Sequence, residues 1–155
     1  MKKILTVIIL TSLCGFVNAQ SDKEQVDMIQ SMYGMEKKAI VAEFIELDGE
    51  KGDNFWNLYD EYETKRKELG KQRIALLERY AENYMDLDDE TTASLLTDMM
   101  TLRKSTDKLV EGYVKKVKKT VDVKTAAKFY QIEEFFVSKQ RSVILENIPV
   151  IGELD

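Results

Sequence analysis

Beyond position 19 this chain carries neither of the side chains that most often do catalysis or bind transition metals. It has no histidine, and its one cysteine is Cys14. A Ser-His-acid triad and a thiol nucleophile are therefore excluded for residues 20–155. Zinc and nickel sites lose their usual imidazole and thiolate ligands as well. Two weaker ligand sets remain. Met28, Met32 and Met35 stand at i, i+4 and i+7, a helical spacing that offers three thioethers to a soft ion such as Cu(I), or simply an adaptable apolar face for a partner. Asp86, Asp88, Asp89 and Glu90 lack the glycine and the bidentate twelfth-position ligand of a calcium loop, and they read better as helix-capping acids. Glu133 and Glu134 are adjacent, so on a helix they point about 100° apart and share no site. No glycine-rich phosphate loop is present. The expectation is a protein that is not an enzyme and holds no metal or cofactor.

The more suggestive residues are those that bind by surface. Phe55, Trp56, Tyr59 and Tyr62 crowd a short stretch, and a helical hairpin would bring them near Tyr113. At this spacing an aromatic cluster builds a core. Phe55 and Trp56 are consecutive, however, so both face inward only if two different surfaces cover them, and one is a candidate for contact with a partner or client. Lys115, Lys116, Lys118 and Lys119 head a run of six lysines between Lys115 and Lys128, with Asp122 as its only acid. Such a run is either a solvated, ion-paired face or a basic patch edged by valines that suits acidic unfolded chains.

The segment carrying these residues is expected to work outside the cytoplasm. Lys2 and Lys3, an apolar stretch from Ile4 to Val17 and the small-residue end Val17-Asn18-Ala19 form a signal peptide over residues 1–19, with Gln20 as the mature N-terminus. This stretch of fourteen residues, broken by Thr6, Thr11, Ser12 and Gly15, falls short of the roughly twenty that span a bilayer, so no membrane span is expected. Without Lys2 and Lys3, 21 basic residues face 28 acidic ones, a net charge near −7 that argues against nucleic acid as a partner. An exported chain without a disulfide must be held by packing or by association.

One proline, Pro149, and seven glycines in a chain one-third charged predict a single, mostly helical domain. Residues 20–34 read as weakly structured, 35–148 as the helical domain and 149–155 as a tail whose Val150 and Ile151 pack back. Four helices are expected. The first runs from about Met35 to Leu47 with Ala39, Ile40, Phe44 and Leu47 on one side, and Asp48-Gly49 breaks it. The second runs from about Glu50 to Met85 on a stripe of Phe55, Tyr59, Tyr62, Leu69, Leu76 and Tyr80. The third runs from about Glu90 to Val121 on Leu95, Met99, Leu102, Thr106, Leu109, Tyr113 and Val117. The fourth runs from about Val123 to Asn147 on Ala126, Phe129, Ile132, Phe136, Val143 and Ile144. The tight Leu87-Asp88-Asp89-Glu90 turn predicts an elongated antiparallel hairpin of the second and third helices, about 52 Å long at 1.5 Å per residue. Folding about Asp88 sets Lys115 to Lys119 against Asp60, Glu61 and Glu63, Lys108 near Glu68 and Glu111 near Lys65. Such a hairpin cannot bury both stripes alone: the first and fourth helices cover part of it, and a second copy of the chain, in a dimer, is expected to cover the rest.

An exported, cysteine-free protein of four helices with one long hairpin resembles the Spy/CpxP-type periplasmic family. The resemblance spans roughly residues 40–148. It is carried by Leu47-Asp48-Gly49-Glu50-Lys51, by Phe55-Trp56-Asn57-Leu58-Tyr59-Asp60-Glu61-Tyr62, by Leu87-Asp88-Asp89-Glu90-Thr91 and by Ala126-Ala127-Lys128-Phe129-Tyr130-Gln131-Ile132-Glu133. The family's Leu-Thr-x-x-Gln helix start is altered twice here: Asp48 and Asp88 replace threonine, and Lys51 and Thr91 replace glutamine. The resemblance implies an all-α, cradle-like homodimer in the periplasm that holds unfolded or partly folded proteins without ATP. The alternative it implies is an accessory sensor or adaptor that engages an envelope sensor protein in a stress response. The family's metal-sensing branch relies on histidine or similar ligands that this chain lacks.

Overall fold

A computed structural model describes residues 33–149, and every described element is helical. Residues 1–19, expected to be a signal peptide and carrying Cys14, residues 20–32 with Met28 and Met32, and the tail with Val150 and Ile151 lie outside the described residues. The chain divides into a unit of residues 1–37 and a unit of residues 38–155. Of the first, only the helical residues 33–37 are described. The second carries the remaining described residues, 38–149, and with them the core.

Helix α1 runs through 33–45, α2 through Gly49–Asn83, α3 through Asp89–Thr120 and α4 through Val123–Asn147, with a 3₁₀ turn at Tyr84–Asp86 after α2. Among the described residues none of these helices is long and apolar enough to cross a membrane. Their boundaries have local causes. α1 stops two residues before the expected Leu47 because Glu46 takes a left-handed conformation (φ +43°), and Gly49 takes another (φ +57°). The chain turns so tightly there that a Cβ on Gly52 would lie 2.9 Å from the Leu47 carbonyl oxygen. Asp88 and Asp122 begin α3 and α4 as side-chain caps, accepting from the backbone N–H of Thr91 at 2.7 Å and of Thr125 at 2.8 Å. Asp48, at the corresponding position before α2, makes no side-chain hydrogen bond to the helix start.

Cross-helix partners define the packing. Glu61 of α2 meets Tyr113 and Lys116 of α3, Arg73 meets Thr106, and Arg79 meets Ser94 and Asp98. Partners descend along α3 as they ascend along α2, so these helices run in opposite directions. Between α2 and α4 the links are Lys51–Asp122, Tyr62–Glu133 and Tyr80–Pro149, separated by 71, 71 and 69 residues. That near-constant offset makes α4 parallel to α2. α3 packs closely on both neighbours, whereas α2 and α4 make no close backbone approach and meet through long side chains.

The core fills that gap at one end. Phe55, Tyr59 and Tyr62 of α2, Val110, Tyr113 and Val117 of α3, and Ala126, Phe129 and Ile132 of α4 form one buried cluster with Val41 and Ile45 of α1. The expected stripes are corrected at several positions. α1 turns Val41 and Ile45 inward, leaving Ile40 and Phe44 exposed. Val110 is buried on α3 where Leu109 is only half-buried, Met99 is exposed, and on α4 Val143 is exposed while Val137 is buried. A buried polar layer borders the aromatic cluster. The Tyr62 hydroxyl donates to Glu133 Oε2 at 2.6 Å, and Arg66 Nε donates to both Glu63 oxygens at 2.9 Å. Burial, and then the Glu133 carboxylate, push the Tyr62 phenol far above its ordinary range, which keeps it a donor.

Candidate binding groove

The aromatic candidates are interior. Phe55, Tyr59, Tyr62 and Tyr113 are 0–3% exposed. Around Tyr59 the ring centroids of Phe55, Trp56, Tyr62 and Phe129 lie 5.9, 5.5, 6.1 and 6.5 Å away. Rings so enclosed present no surface to a client, and four of the five aromatic candidates are thereby corrected to core. Trp56 alone stays half-buried, edge-on to Phe55 at 5.0 Å. The Lys38 ammonium stands 5.3 Å from its ring centroid and pairs with Asp60.

The four candidate lysines are all exposed, and one of them is ion-paired. Lys115, Lys118 and Lys119 are exposed, the last two in the final turn of α3, where positive charge favours the helix dipole. Lys116 is exposed too, but it pairs with Glu61 Oε2 at 3.2 Å and sits 4.3 Å from the Tyr113 ring centroid. That hydrogen bond to Glu61 holds its pKa above the ordinary value. Met35 is exposed. Among the described acids of the 86–90 turn, Asp88 works as the α3 cap, and that hydrogen bonding holds its carboxyl below the usual range.

A different surface emerges where the aromatic core ends. Because α2 and α4 stand apart, the half of the unit beyond the aromatic cluster leaves an opening. A cavity of about 420 Å³ is lined by Leu76, Leu77, Tyr80, Leu95, Met99, Ile144, Leu145, Ile148 and Pro149. A second, of about 280 Å³, shares Leu76, Leu77, Met99, Ile144 and Leu145 with it and adds Leu102, Arg73, Arg103 and Arg141. The two form one continuous groove floored by α3 and walled by α2 and α4. Among the described residues no acid lines either cavity. Leu145 is 73% exposed and Met99 53%, with Leu96 and Met100 exposed on neighbouring turns of α3. The Tyr80 hydroxyl donates to the Pro149 carbonyl at 2.8 Å, tying the end of α4 to α2 at the far end of the groove.

Leu76, Tyr80, Leu95, Met99, Leu102 and Ile144 all belong to the apolar stripes read from the sequence, where they counted as core. The available signal was side-chain size. Apart from Tyr80, the facing positions carry leucine, isoleucine and methionine rather than the cluster of rings that bridges α2 and α4 elsewhere. No family model, curated protein or solved structure compared with the chain matches it.

Proposed function

We propose that this protein is an exported, ATP-independent holding chaperone for unfolded or partly folded proteins. The observation that carries the proposal is the open apolar groove, with Leu145 and Met99 more than half exposed beside three arginines. A contiguous apolar surface on an otherwise highly charged molecule marks a binding face. Methionine repacks around many shapes, which suits clients without a fixed structure. The guanidiniums keep the rim soluble. On this reading α2 and α3 form an elongated antiparallel hairpin, two copies assemble into a cradle-like dimer, and the groove face is turned toward the client. Export follows from the basic-then-apolar leader of residues 1–19.

The test is light scattering from a chemically denatured client diluted into ATP-free buffer, with the protein and with its Met99→Glu and Leu145→Glu variants. A dose-dependent delay for two unrelated clients, lost in both variants, is the expected outcome. No delay for either client would replace the proposal with an adaptor that recognises one folded envelope sensor. Sedimentation as a monomer at micromolar concentration would remove the dimer from it.

A further inference from the structure

The groove has two chemically different ends. At one end stand Arg73, Arg103 and Arg141. Arg141 Nη2 lies 2.9 Å from Asp107 Oδ1 and Arg103 Nε lies 3.9 Å from Asp107 Oδ2, so these two guanidiniums share one carboxylate. Arg73 Nη2 donates to the Thr106 hydroxyl at 3.4 Å. This mouth is cationic, and among the described residues no acid lines the cavity behind it. At the other end the Tyr80 hydroxyl is engaged by the Pro149 carbonyl. Between the ends the lining is leucine, isoleucine and methionine. From Arg73 to Tyr80 the helix rises about 10 Å.

We propose that this groove binds a single-chain anionic amphiphile, a long-chain fatty acid, with its carboxylate at Arg103 and Arg141 and its alkyl chain along Leu76, Leu77, Met99 and Leu145. Three observations favour it. A carboxylate matches the forked donors of guanidinium, and two such forks with one protein carboxylate between them leave donors to spare. A cavity of about 420 Å³ falls within the range of small-ligand sites. An alkyl chain asks nothing polar of its surroundings. The proposal stands whether or not unfolded clients use the same face, because its readout is direct binding of a small molecule.

The experiment is calorimetric titration of the purified, naturally processed protein with dodecanoate, dodecanol and dodecylammonium, each below its aggregation threshold. One dodecanoate per chain is expected, bound roughly tenfold more tightly than dodecanol, as one charge-assisted contact requires, and dodecylammonium more weakly still. From octanoate to decanoate the affinity should rise by up to about fourfold per methylene. The double variant Arg103→Gln, Arg141→Gln should bring dodecanoate down to dodecanol and leave dodecanol unchanged. Leu145→Glu, at an exposed position, should abolish binding of all three without lowering the melting temperature. Equal binding of dodecanoate and dodecylammonium would overturn the proposal, as would dodecanoate binding that both variants leave intact. So would absence of binding in a protein that Leu145→Glu converts from dimer to monomer, since the groove would then be the seat of a second copy.

Discussion

Replacing Tyr59 with alanine separates a core from a client surface more sharply than any other single change. The Tyr59 ring is 1% exposed and has four aromatic neighbours, one of which, Phe129, belongs to α4. Truncating a buried aromatic residue to alanine costs about 3–5 kcal/mol, the upper values applying where the surroundings cannot close over the void. Here they cannot readily do so, because rings hold α2 and α4 apart with no close backbone approach between them. Against a total stability of about 5–15 kcal/mol for a domain of ordinary size, Tyr59→Ala should remove about a fifth or more. At roughly 3–5 °C per kcal/mol the melting temperature should fall by about 10–20 °C. Trp56→Ala, at a half-buried site, should lose about half as much. Met99→Glu and Leu145→Glu, at exposed sites, should stay within about 0.5 kcal/mol of the parent. Urea unfolding followed by far-ultraviolet circular dichroism measures all four. Light scattering with a denatured client, run at a temperature where every variant is folded, supplies the second axis. The expected pattern places Tyr59→Ala low in stability with client holding intact, and the groove variants normal in stability with holding lost. A Tyr59→Ala protein that loses less than about 1 kcal/mol yet no longer holds clients would refute the assignment of this cluster to the core.

Gly52→Ala should destabilise despite alanine's better helix propensity, since its Cβ would meet the Leu47 carbonyl oxygen at 2.9 Å; Gly112→Ala, with open space around it, should add about 0.5–1 kcal/mol, both read from urea midpoints. Tyr62→Phe should cost about 1.5–3 kcal/mol by removing the donor to the buried Glu133 carboxylate, and a loss under 0.5 kcal/mol would deny that bond its role. Hydrogen bonds from Lys51 first, and then from Thr125, hold the Asp122 carboxyl well below its ordinary 3.8, so the folded state resists its protonation. That contribution is complete above the ordinary value and is lost as pH falls below it, and Asp122→Ala should flatten the acid limb of a melting-temperature profile below about pH 4. Replacing Lys115, Lys116, Lys118 and Lys119 with glutamine should slow client capture chiefly at low salt, while Lys116→Gln alone should change little because Glu61 already pairs with it; stopped-flow capture at two ionic strengths decides, and a salt-independent effect argues against steering.

Periodicity and caps carried much of the helical layout. α4 covers the expected Val123–Asn147, and α2 and α3 begin one residue before their expected starts. The errors have separate physical origins. α1 ends early because two left-handed residues, Glu46 and Gly49, turn the chain, and a non-glycine left-handed residue leaves no trace in composition. That end, and the inward turn of Val41 and Ile45, depend on where α1 meets α2, α3 and α4, which apolar spacing does not encode. Asp48 and Asp88 look alike in sequence, yet only Asp88 reaches a backbone N–H, because the left-handed Gly49 follows the first and Asp89 the second. Of the charge pairs expected between α2 and α3, Glu61–Lys116 forms, while Lys65 instead stands 5.5 Å from the Tyr113 ring. The groove was the least legible feature. Its residues are spaced like core residues, and spacing tells which side chains share a face without telling whether anything covers that face.

What decides coverage is the distribution of side-chain size along two parallel helices whose backbones make no close approach. Where α2 and α4 offer Phe55, Tyr59, Tyr62 and Phe129, the rings span the gap and exclude water. Past the polar layer of Tyr62, Glu63, Arg66 and Glu133, the same helices offer Leu76, Leu77, Ile144 and Leu145, which are shorter and leave the gap open. The helices cannot simply close on these smaller residues. The Tyr62–Glu133 hydrogen bond fixes their spacing on one side of the gap and the Tyr80–Pro149 hydrogen bond on the other. Collapse would require breaking a bond to a buried carboxylate, whose loss costs more than the few leucine contacts it would gain. The groove is thus kept open by the same two hydrogen bonds that hold α2 and α4 in register. Tyr80→Phe should therefore let the end of α4 drift and alter ligand or client binding in the groove, while the aromatic cluster at the other end keeps its protection from hydrogen exchange.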